Sequence, residues 1–192
     1  MSVDFAPRHR FTVDEFHRMG EAGILAHDDR VELINGEIFE MSPIGSNHAA
    51  CVRDLDHWLQ QLVGHEALVS AQQPLKIEDD GEPIPDIAVL RRRADRYRTS
   101  HPTPADALLV IEVADSSVVF DRNVKGRLYA AAGVPEYWVV DLPRQSVAVF
   151  HSPRDGDFSE HGEHRRGESW RSPALGGREV STDLILDGAP DL

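Results

Sequence analysis

Apolar residues recur along this chain at helical intervals in some stretches and at strand intervals in others. Thr12, with Glu15 three positions later, predicts a capping box that starts a short helix. A second helix is predicted over about 46–63 from the spacing of its apolar side chains. A third helix is predicted to begin at Asp121, as its N-cap, and to end near Ala132. These helices are separated by segments with strand patterns.

The strand patterns include one clear hairpin. Residues 30–41 place Asn35 and Gly36 between two alternating runs, which is typical of a hairpin with a type I′ turn. Further strands are predicted over 68–70, 74–77, 83–90, 108–113, 136–141 and 146–150, with a last pair near 168–175 and 179–187. Residues 151–167 are rich in His, Gly and charge without periodicity, so we expect a loop there.

This mixture predicts an α/β fold in which helices flank a mixed central β-sheet. An N-terminal β-hairpin and extra C-terminal strands would be attached to that sheet. The length of 192 residues and the hydrophobic content of 41% fit a single domain over 1–192. Within it we expect a core of about 10–150 and a C-terminal β extension of about 151–192.

Composition excludes several cellular locations and kinds of site. Cys51 is the single cysteine, which excludes an intramolecular disulfide and a cysteine-based zinc cluster. No segment reaches the roughly 18 consecutive apolar residues of a membrane span. The N-terminus lacks the apolar core of a secretory signal. We therefore expect a cytoplasmic protein without a membrane partner.

The charge pattern works against nucleic-acid binding. The formal net charge is −13, whereas nucleic-acid binders usually display a basic surface. Basic residues do cluster over 91–98 and 164–171. The simplest interpretation of both clusters is a solvated loop.

Two acidic residues stand within apolar strand patterns. Asp86 follows Pro85 in PIPDIAVL, and Glu112 lies in LLVIEVADSS. A carboxylate in such a run is costly to bury unless a cation neutralises it. If the two strands were neighbours, the two acids could hold one hard cation such as Mg²⁺, or share a proton.

A lysine completes this candidate site. Ala114 occupies the position two residues after Glu112, where a lysine would project from the same strand face. Lys125 instead lies on the mostly apolar side of the following helix, with Tyr129 and Ala132 in the same register. It should therefore point toward the sheet, beside Glu112.

Purely structural roles are also open to these residues. Asp86 could cap a turn, and Glu112 could form a buried salt bridge with Lys125. Glu32 on the hairpin could face solvent, and His48 could be a packed or capping histidine. A nucleophile elbow and a phosphate-binding glycine loop are both missing from the sequence.

Taken together, these motifs resemble a known family. PDIAVL, LLVIEVADSS and DRNVKGRLYAAAGVPEYWVVD follow VELINGEIFEMSP and a helix that begins SNHAACVRDL. This order is similar to that of the Uma-two family of restriction-endonuclease-like proteins, within the PD-(D/E)XK nuclease superfamily. The resemblance covers roughly residues 10–150, and Ala114 in place of a lysine is a departure that the family shares.

The resemblance implies a restriction-endonuclease-like fold and metal-dependent cleavage of DNA phosphodiester bonds. Asp86 and Glu112 match the metal-binding acids, and with the backbone carbonyl of Val113 they would hold Mg²⁺, or Mn²⁺ as a substitute. Lys125 matches the lysine moved onto the helix, and Glu32 matches the acid of the N-terminal hairpin. His48 matches a recurrent histidine at a helix start. DNA is the implied partner, and a homodimer is expected by analogy with enzymes that cut both strands.

Two other functions remain compatible with the sequence. A catalytically silent nuclease-fold protein could bind nucleic acid or protein as an accessory factor, and the acidic composition favours this alternative. A metal hydrolase acting on small phosphorylated substrates would not need a basic surface.

Overall fold

The computed structural model describes residues 7–188. Five helices lie within this range: α1 (Val13–Glu21), α2 (Ser46–Val63), α3 (Val118–Phe120), α4 (Gly126–Ala131) and α5 (Thr182–Asp187). Its ten strands are β1 (Val31–Ile34), β2 (Glu37–Glu40), β3 (Ala67–Ala71), β4 (Ile87–Arg91), β5 (Ala107–Ala114), β6 (Glu136–Asp141), β7 (Ser146–Arg154), β8 (Asp157–Arg165), β9 (Ser169–Ser172) and β10 (Arg178–Ser181). A 3₁₀ turn (Pro104–Asp106) precedes β5, and a π-helical turn (Asp121–Lys125) joins α3 to α4.

The central sheet has six strands in the order β3-β4-β5-β6-β7-β8. Strands β5 and β6 pair in parallel, and the other neighbours are antiparallel. The parallel pair needs a crossover connection, which the helical segment from α3 to α4 supplies. The sheet is therefore mixed, as predicted, and the predicted α/β fold class is confirmed.

Apolar side chains cover both faces of the sheet. On one face, α2 and α5 pack with the β9-β10 pair around Leu55, Leu59, Ile111 and Trp138. On the other face, α4 and the hairpin pack around residues that include Tyr137. Burial of both faces explains why β4, β5 and β6 read as nearly continuous apolar runs in the sequence.

The N-terminal helix and the hairpin form as predicted. The Thr12 hydroxyl accepts the Glu15 N–H at 3.2 Å, and the Thr12 N–H donates to the Glu15 carboxylate at 2.9 Å. In the hairpin, Ile34 pairs with Glu37. The turn residues have positive φ angles, 50° at Asn35 and 73° at Gly36, as a type I′ turn requires.

The loop predicted over 151–167 is wrong. Strand β7 continues to Arg154, and β8 pairs with it along the edge of the central sheet. Most β8 side chains are exposed, so polar residues there carry no desolvation cost and leave no apolar alternation to detect. Asp155 and Gly156 form the two-residue turn between the strands, and this Asp-Gly pair was the available sequence signal.

Two other strand predictions need correction. Residues 74–77 do not form a strand, because the ladder there is reduced to one isolated bridge, between Ile77 and Gly81. The Ile77 N–H donates to the Gly81 carbonyl only four residues later, so the chain turns back instead of extending. At the C-terminus, residues 182–187 form α5 instead of continuing β10, because the Ser181 side chain accepts the Asp183 N–H and caps a helix.

The helix predicted to begin at Asp121 begins earlier, and Asp121 is not its cap. Ser117 occupies the N-cap position of α3, and the Asp121 N–H donates to the Ser117 carbonyl as in a helical turn. No proline interrupts the residues after Ser117, so the helix can start there. Asp121 is thereby placed inside the helical segment, with its side chain buried.

Among residues 7–188, no helix is both long and apolar enough to cross a membrane.

Candidate active site

A cavity of 330 Å³ lies at the edge of the sheet where β4 begins and β5 ends. The hairpin, the start of α2 and the helical segment from α3 to α4 form its other walls. The lining residues include six with ionisable side chains that could bind a ligand or transfer a proton: Glu32, His48, Asp86, Glu112, Asp121 and Lys125. The structure therefore brings together all four side chains predicted as catalytic, from segments far apart in the sequence.

Asp86 is fixed from three sides at the entrance to β4. Its Oδ2 accepts the Val113 N–H at 2.9 Å and lies 3.0 Å from His48 Nε2, and its Oδ1 accepts from Gln72 Nε2 at 3.2 Å. The register pairs Ile87 with Ile111, so Asp86 and Glu112 occupy the next facing positions. Adjacent strands thus bring the two predicted metal-binding acids side by side, as the sequence suggested.

Glu112 is buried, with one oxygen in a hydrogen-bond network. Its Oε1 accepts from Lys125 Nζ at 3.0 Å and from the Tyr129 hydroxyl at 3.0 Å. Its Oε2 accepts no hydrogen bond from a described residue, although Glu112 lines the cavity. One carboxylate oxygen of Glu112 is therefore free for a ligand.

Lys125 projects inward from the π-helical turn, as its register predicted. Its Nζ lies 3.0 Å from Glu112 Oε1 and 3.0 Å from Glu32 Oε2, and 4% of the residue is exposed. Within the π turn, Gly126 N–H donates to the Asp121 carbonyl, which also accepts from the Tyr137 hydroxyl. The extra residue of a π turn is often found at functional sites. Here it directs Asp121 and Lys125 into the same cavity.

Glu32 lies in β1 with its side chain directed inward. Its Oε2 accepts the Ile84 N–H at 3.2 Å in addition to its contact with Lys125. Only 4% of the residue is exposed, so the alternative of a solvent-facing hairpin residue is wrong.

His48, in the first turn of α2, contacts the site directly. The hydrogen bond with Asp86 raises the pKa of His48, and partial burial opposes that shift without cancelling it. The other ring nitrogen, Nδ1, is buried and has no partner among the described residues. His48 therefore holds a carboxylate of the site, which a helix cap would not do.

Sequence reasoning missed two contributors to the cavity and two to its support. Asp121 was predicted as a helix cap, yet it lines the cavity and accepts from the Ser117 hydroxyl. Arg30, at the cavity rim, carried no signal beyond its charge. Gln72 carried none, because its contact with Asp86 depends on how β3 ends beside β4. Tyr129, four residues after Lys125, could have been found from its shared helical register.

Negative charge dominates the buried part of the site. Four carboxylates are buried, those of Glu32, Asp86, Glu112 and Asp121, and Lys125 is the buried ammonium that faces them. Burial raises the pKa of Glu112 well above its usual value despite the opposing charge of Lys125. Burial likewise raises the pKa of Asp121. The site thus has the charge balance of a cation-binding pocket.

Lys125 stays protonated in this setting. Burial alone would lower its pKa, but the negative charges of Glu112 and Glu32 outweigh burial and raise it. A lysine with a raised pKa cannot serve as a general base at neutral pH. It can donate hydrogen bonds and supply positive charge.

The donor set suits magnesium better than a transition metal. Within residues 7–188, no three His, Cys, Asp or Glu side chains form a preassembled metal cluster. Mg²⁺ needs no such cluster, because it prefers oxygen ligands and keeps several waters. Asp86, Glu112 and the Val113 carbonyl offer that kind of set. The Val113 N–H points to Asp86, and a strand residue directs its N–H and C=O to the same side.

The fold and the arrangement of acids and lysine define a class, that of nuclease-like α/β proteins. Comparison with known proteins supports this class. The family profile Uma2, described as "Putative restriction endonuclease", matches residues 13–184. The chain therefore belongs to the Uma2 family, and the resemblance drawn from its motifs is confirmed.

Solved structures agree on the fold. The chain is similar to the crystal structure of "a putative nuclease belonging to DUF820" from Anabaena variabilis ATCC 29413, with a TM-score of 0.73 and 18% sequence identity. The similarity covers 92% of this chain and 98% of that chain. At this identity, the similarity establishes the fold alone. No curated protein matches the chain.

Proposed function

We propose that this protein is a metal-dependent endonuclease that hydrolyses DNA phosphodiester bonds. One observation carries the proposal: Asp86 and Glu112 face each other at strand ends, and Lys125 reaches Glu112 from the neighbouring helix. All three line one cavity. Membership of the Uma2 family supports DNA as the substrate.

Mg²⁺ would be held by Asp86, Glu112 and the backbone carbonyl of Val113, with Mn²⁺ as a substitute. When bound, the cation supplies positive charge to the scissile phosphate and lowers the pKa of water. It also offsets the repulsion between the phosphate and the four buried carboxylates of the cavity. The acidic composition therefore opposes metal-free DNA binding more than it opposes catalysis.

Lys125 has one donor left for the reaction. An ammonium carries three N–H groups, and Glu112 and Glu32 each occupy one of them. The third can donate to the attacking water or to a phosphate oxygen, where it stabilises the negative charge of the transition state. Glu32 thus acts by holding the lysine, and it could also bind an outer-sphere water of the cation.

His48 and Gln72 fix the orientation of Asp86. With a proton on Nε2, His48 donates to Asp86 Oδ2, while Gln72 donates to Oδ1. Orientation by neighbouring donors keeps a metal ligand in its productive geometry. At the cavity rim, Arg30 donates one N–H to the Ser42 carbonyl at 2.9 Å and keeps others for a substrate phosphate.

A second candidate function is the catalytically silent nuclease-fold protein that binds nucleic acid or protein. The ion pairs of Lys125 favour it, because they already satisfy Glu112 and Glu32 without a metal. The ion pairs of Lys125 do not include Asp86, so they do not explain why a further buried acid lies beside Glu112. A homodimer with two sites would allow cleavage of both strands and stays a prediction.

The test is a plasmid-nicking assay with purified protein and Mg²⁺ or Mn²⁺. Asp86→Asn keeps the size of the side chain but removes its charge and one of its two acceptor atoms, so we expect a loss of nicking of about 100-fold or more. Asp28→Asn makes the same change at an exposed position outside the cavity and should retain wild-type activity.

A second measurement tests binding of the cation independently of DNA cleavage. Calorimetric titration with Mn²⁺ should show one site in the wild-type protein and in Asp28→Asn, and none in Asp86→Asn. Nicking that survives Asp86→Asn would reveal a contaminant or a different site. Folded wild-type protein that neither nicks DNA nor binds the cation would favour the silent protein instead.

A further inference from the structure

The most basic segment of the chain lies away from the candidate active site. Residues 91–98, called the basic loop here, contain five arginines and one aspartate in a chain whose formal net charge is −13. The loop begins at Arg91, the last residue of β4, whereas Asp86 directly precedes the first residue of that strand. Five residue steps of about 3.3 Å each separate Asp86 from Arg91 by roughly 16 Å.

The basic loop is held in a fixed shape by its single acid. The Asp95 carboxylate accepts two hydrogen bonds from the Arg93 guanidinium, at 2.6 and 3.1 Å, and accepts the Tyr97 N–H at 3.2 Å. The Arg93 guanidinium also lies over the Tyr97 ring, 4.1 Å from its centroid. Arg93 is therefore used in building the loop.

The backbone of the loop is strained at two consecutive residues. The φ angles of Arg96 and Tyr97 are 54° and 59°, in the left-handed region that side chains other than glycine rarely adopt. Such strain persists only where neighbouring contacts hold it, and it concentrates at functional segments. In the basic loop, the strained turn places Arg96 at a cavity that Arg92 and Arg93 also line.

Two other arginines of the loop do not help to hold its shape. Arg92 and Arg96 line a cavity of 310 Å³ together with Arg93, and both are exposed. Neither forms an ion pair or a side-chain hydrogen bond with a described residue, in contrast to Arg93. Three arginines thus line one cavity, and of these Arg93 is neutralised within the loop.

We propose that the basic loop is a binding site for the phosphate backbone of nucleic acid, separate from the candidate active site. Guanidinium groups bind phosphate oxygens in pairs of parallel hydrogen bonds, which favours arginine at phosphate sites. An acidic peptide would also need pockets for its apolar side chains. Apart from the arginines, however, the lining of this cavity consists of Leu68, Ala94 and Tyr97, which offer little apolar surface. The inference rests on the proposed function only in taking nucleic acid to be the polyanion that the basic loop binds.

The experiment measures binding without cleavage. The full-length protein is titrated into a short fluorescein-labelled DNA duplex in EDTA, and fluorescence anisotropy is recorded over a series of salt concentrations. The double variant Arg92→Glu/Arg96→Glu should raise Kd by about tenfold or more and reduce the slope of log K against log salt by about two. Both side chains are exposed and have no partner among residues 7–188, so the variant should fold normally.

A matched control separates a local site from the overall charge. Arg53→Glu/Arg127→Glu makes the same change in net charge at exposed positions on α2 and α4. Because salt screens distant charges, this variant should change Kd by less than about threefold. Equal weakening by both variants would overturn the proposal, as would a wild-type protein that does not bind the duplex at low salt. Polyglutamate that competes as well as unlabelled DNA would assign the loop to acidic peptides instead.

The nicking assay keeps the two proposals apart. A protein that nicks DNA but binds it independently of Arg92 and Arg96 retains the proposed function and loses the basic loop as a binding site. A protein whose DNA binding depends on these arginines but which never nicks DNA retains the loop and loses the proposed function.

Discussion

The two ends of β4 differ in how they hold their charges. At its start, Asp86 belongs to a buried group of acids compensated by Lys125. At its end, the basic loop exposes its arginines to solvent and uses Asp95 to fix one of them. One five-residue strand thus joins a buried acidic cavity to an exposed basic surface.

The comparison shows where the loss of one charged group should destabilise the fold and where it should not. In the cavity, removal of one group leaves its partners charged and without water, which is costly. In the basic loop, solvent replaces a lost partner, so the cost to folding is small. Substitutions in the cavity should therefore change stability together with any activity, whereas substitutions of exposed loop arginines should change binding alone.

The largest effect on stability is expected from Lys125→Met. This change keeps the length of the side chain but removes the ammonium that lies 3.0 Å from both Glu112 and Glu32. Breaking a buried ion pair by removing one partner costs about 3–5 kcal/mol. Urea unfolding followed by circular dichroism should show a loss of that size in the free energy of unfolding.

Lys76→Met is the matched control, since Lys76 is the other lysine of the chain and forms no ion pair with a described residue. It should leave the free energy of unfolding nearly unchanged. Adding Glu112→Gln to Lys125→Met should recover part of the loss, because one uncompensated carboxylate is removed. If Lys125→Met unfolds at the same urea concentration as wild type, the buried ion-pair network is not as described.

A smaller effect is expected from Tyr129→Phe. The change removes the hydroxyl that donates to Glu112 Oε1 at 3.0 Å, and a buried hydrogen bond to a charged group contributes about 1.5–3 kcal/mol. Tyr97→Phe is its counterpart in the basic loop, where the hydroxyl donates to the Arg91 carbonyl at an exposed position. The same urea titration should show a clearly smaller loss for Tyr97→Phe. Equal losses would contradict the contrast between the two ends of β4.

The same contrast accounts for which parts of the site could be predicted from the sequence. Asp86, Glu112 and Lys125 were found because a charge within an apolar pattern has few purely structural roles. Asp121 was misassigned, because an acid near a helix start usually caps it and nothing in the sequence announces the π turn. Gln72 gave no signal, since its role depends on the pairing of β3 with β4.

For the fold, local signals were sufficient where they were strong. The capping box of α1 and the Asn35-Gly36 turn each depend on a few neighbouring residues, and both form as predicted. Strand β8 was missed because it lies at the sheet edge with most of its side chains in water. Backbone hydrogen bonds with β7 hold β8 in the sheet, and the composition of β8 gives no indication of this pairing.

The smallest effect concerns the ionisation of Asp95 in the basic loop. Hydrogen bonds from Arg93, and then from Thr99, lower the pKa of Asp95 well below its usual value of about 3.9. A lowered pKa means that the ionised carboxylate stabilises the folded loop above the usual pKa, and that this contribution is lost as the pH falls through the lowered value. Carboxyl chemical shifts followed by NMR should therefore show Asp95 still ionised at a pH where exposed aspartates are protonated. Arg93→Gln should raise the pKa of Asp95 toward the usual value without a measurable change in the thermal unfolding midpoint. If Asp95 of the wild-type protein titrates like the exposed aspartates, its hydrogen bonds with Arg93 do not hold the loop in the shape described.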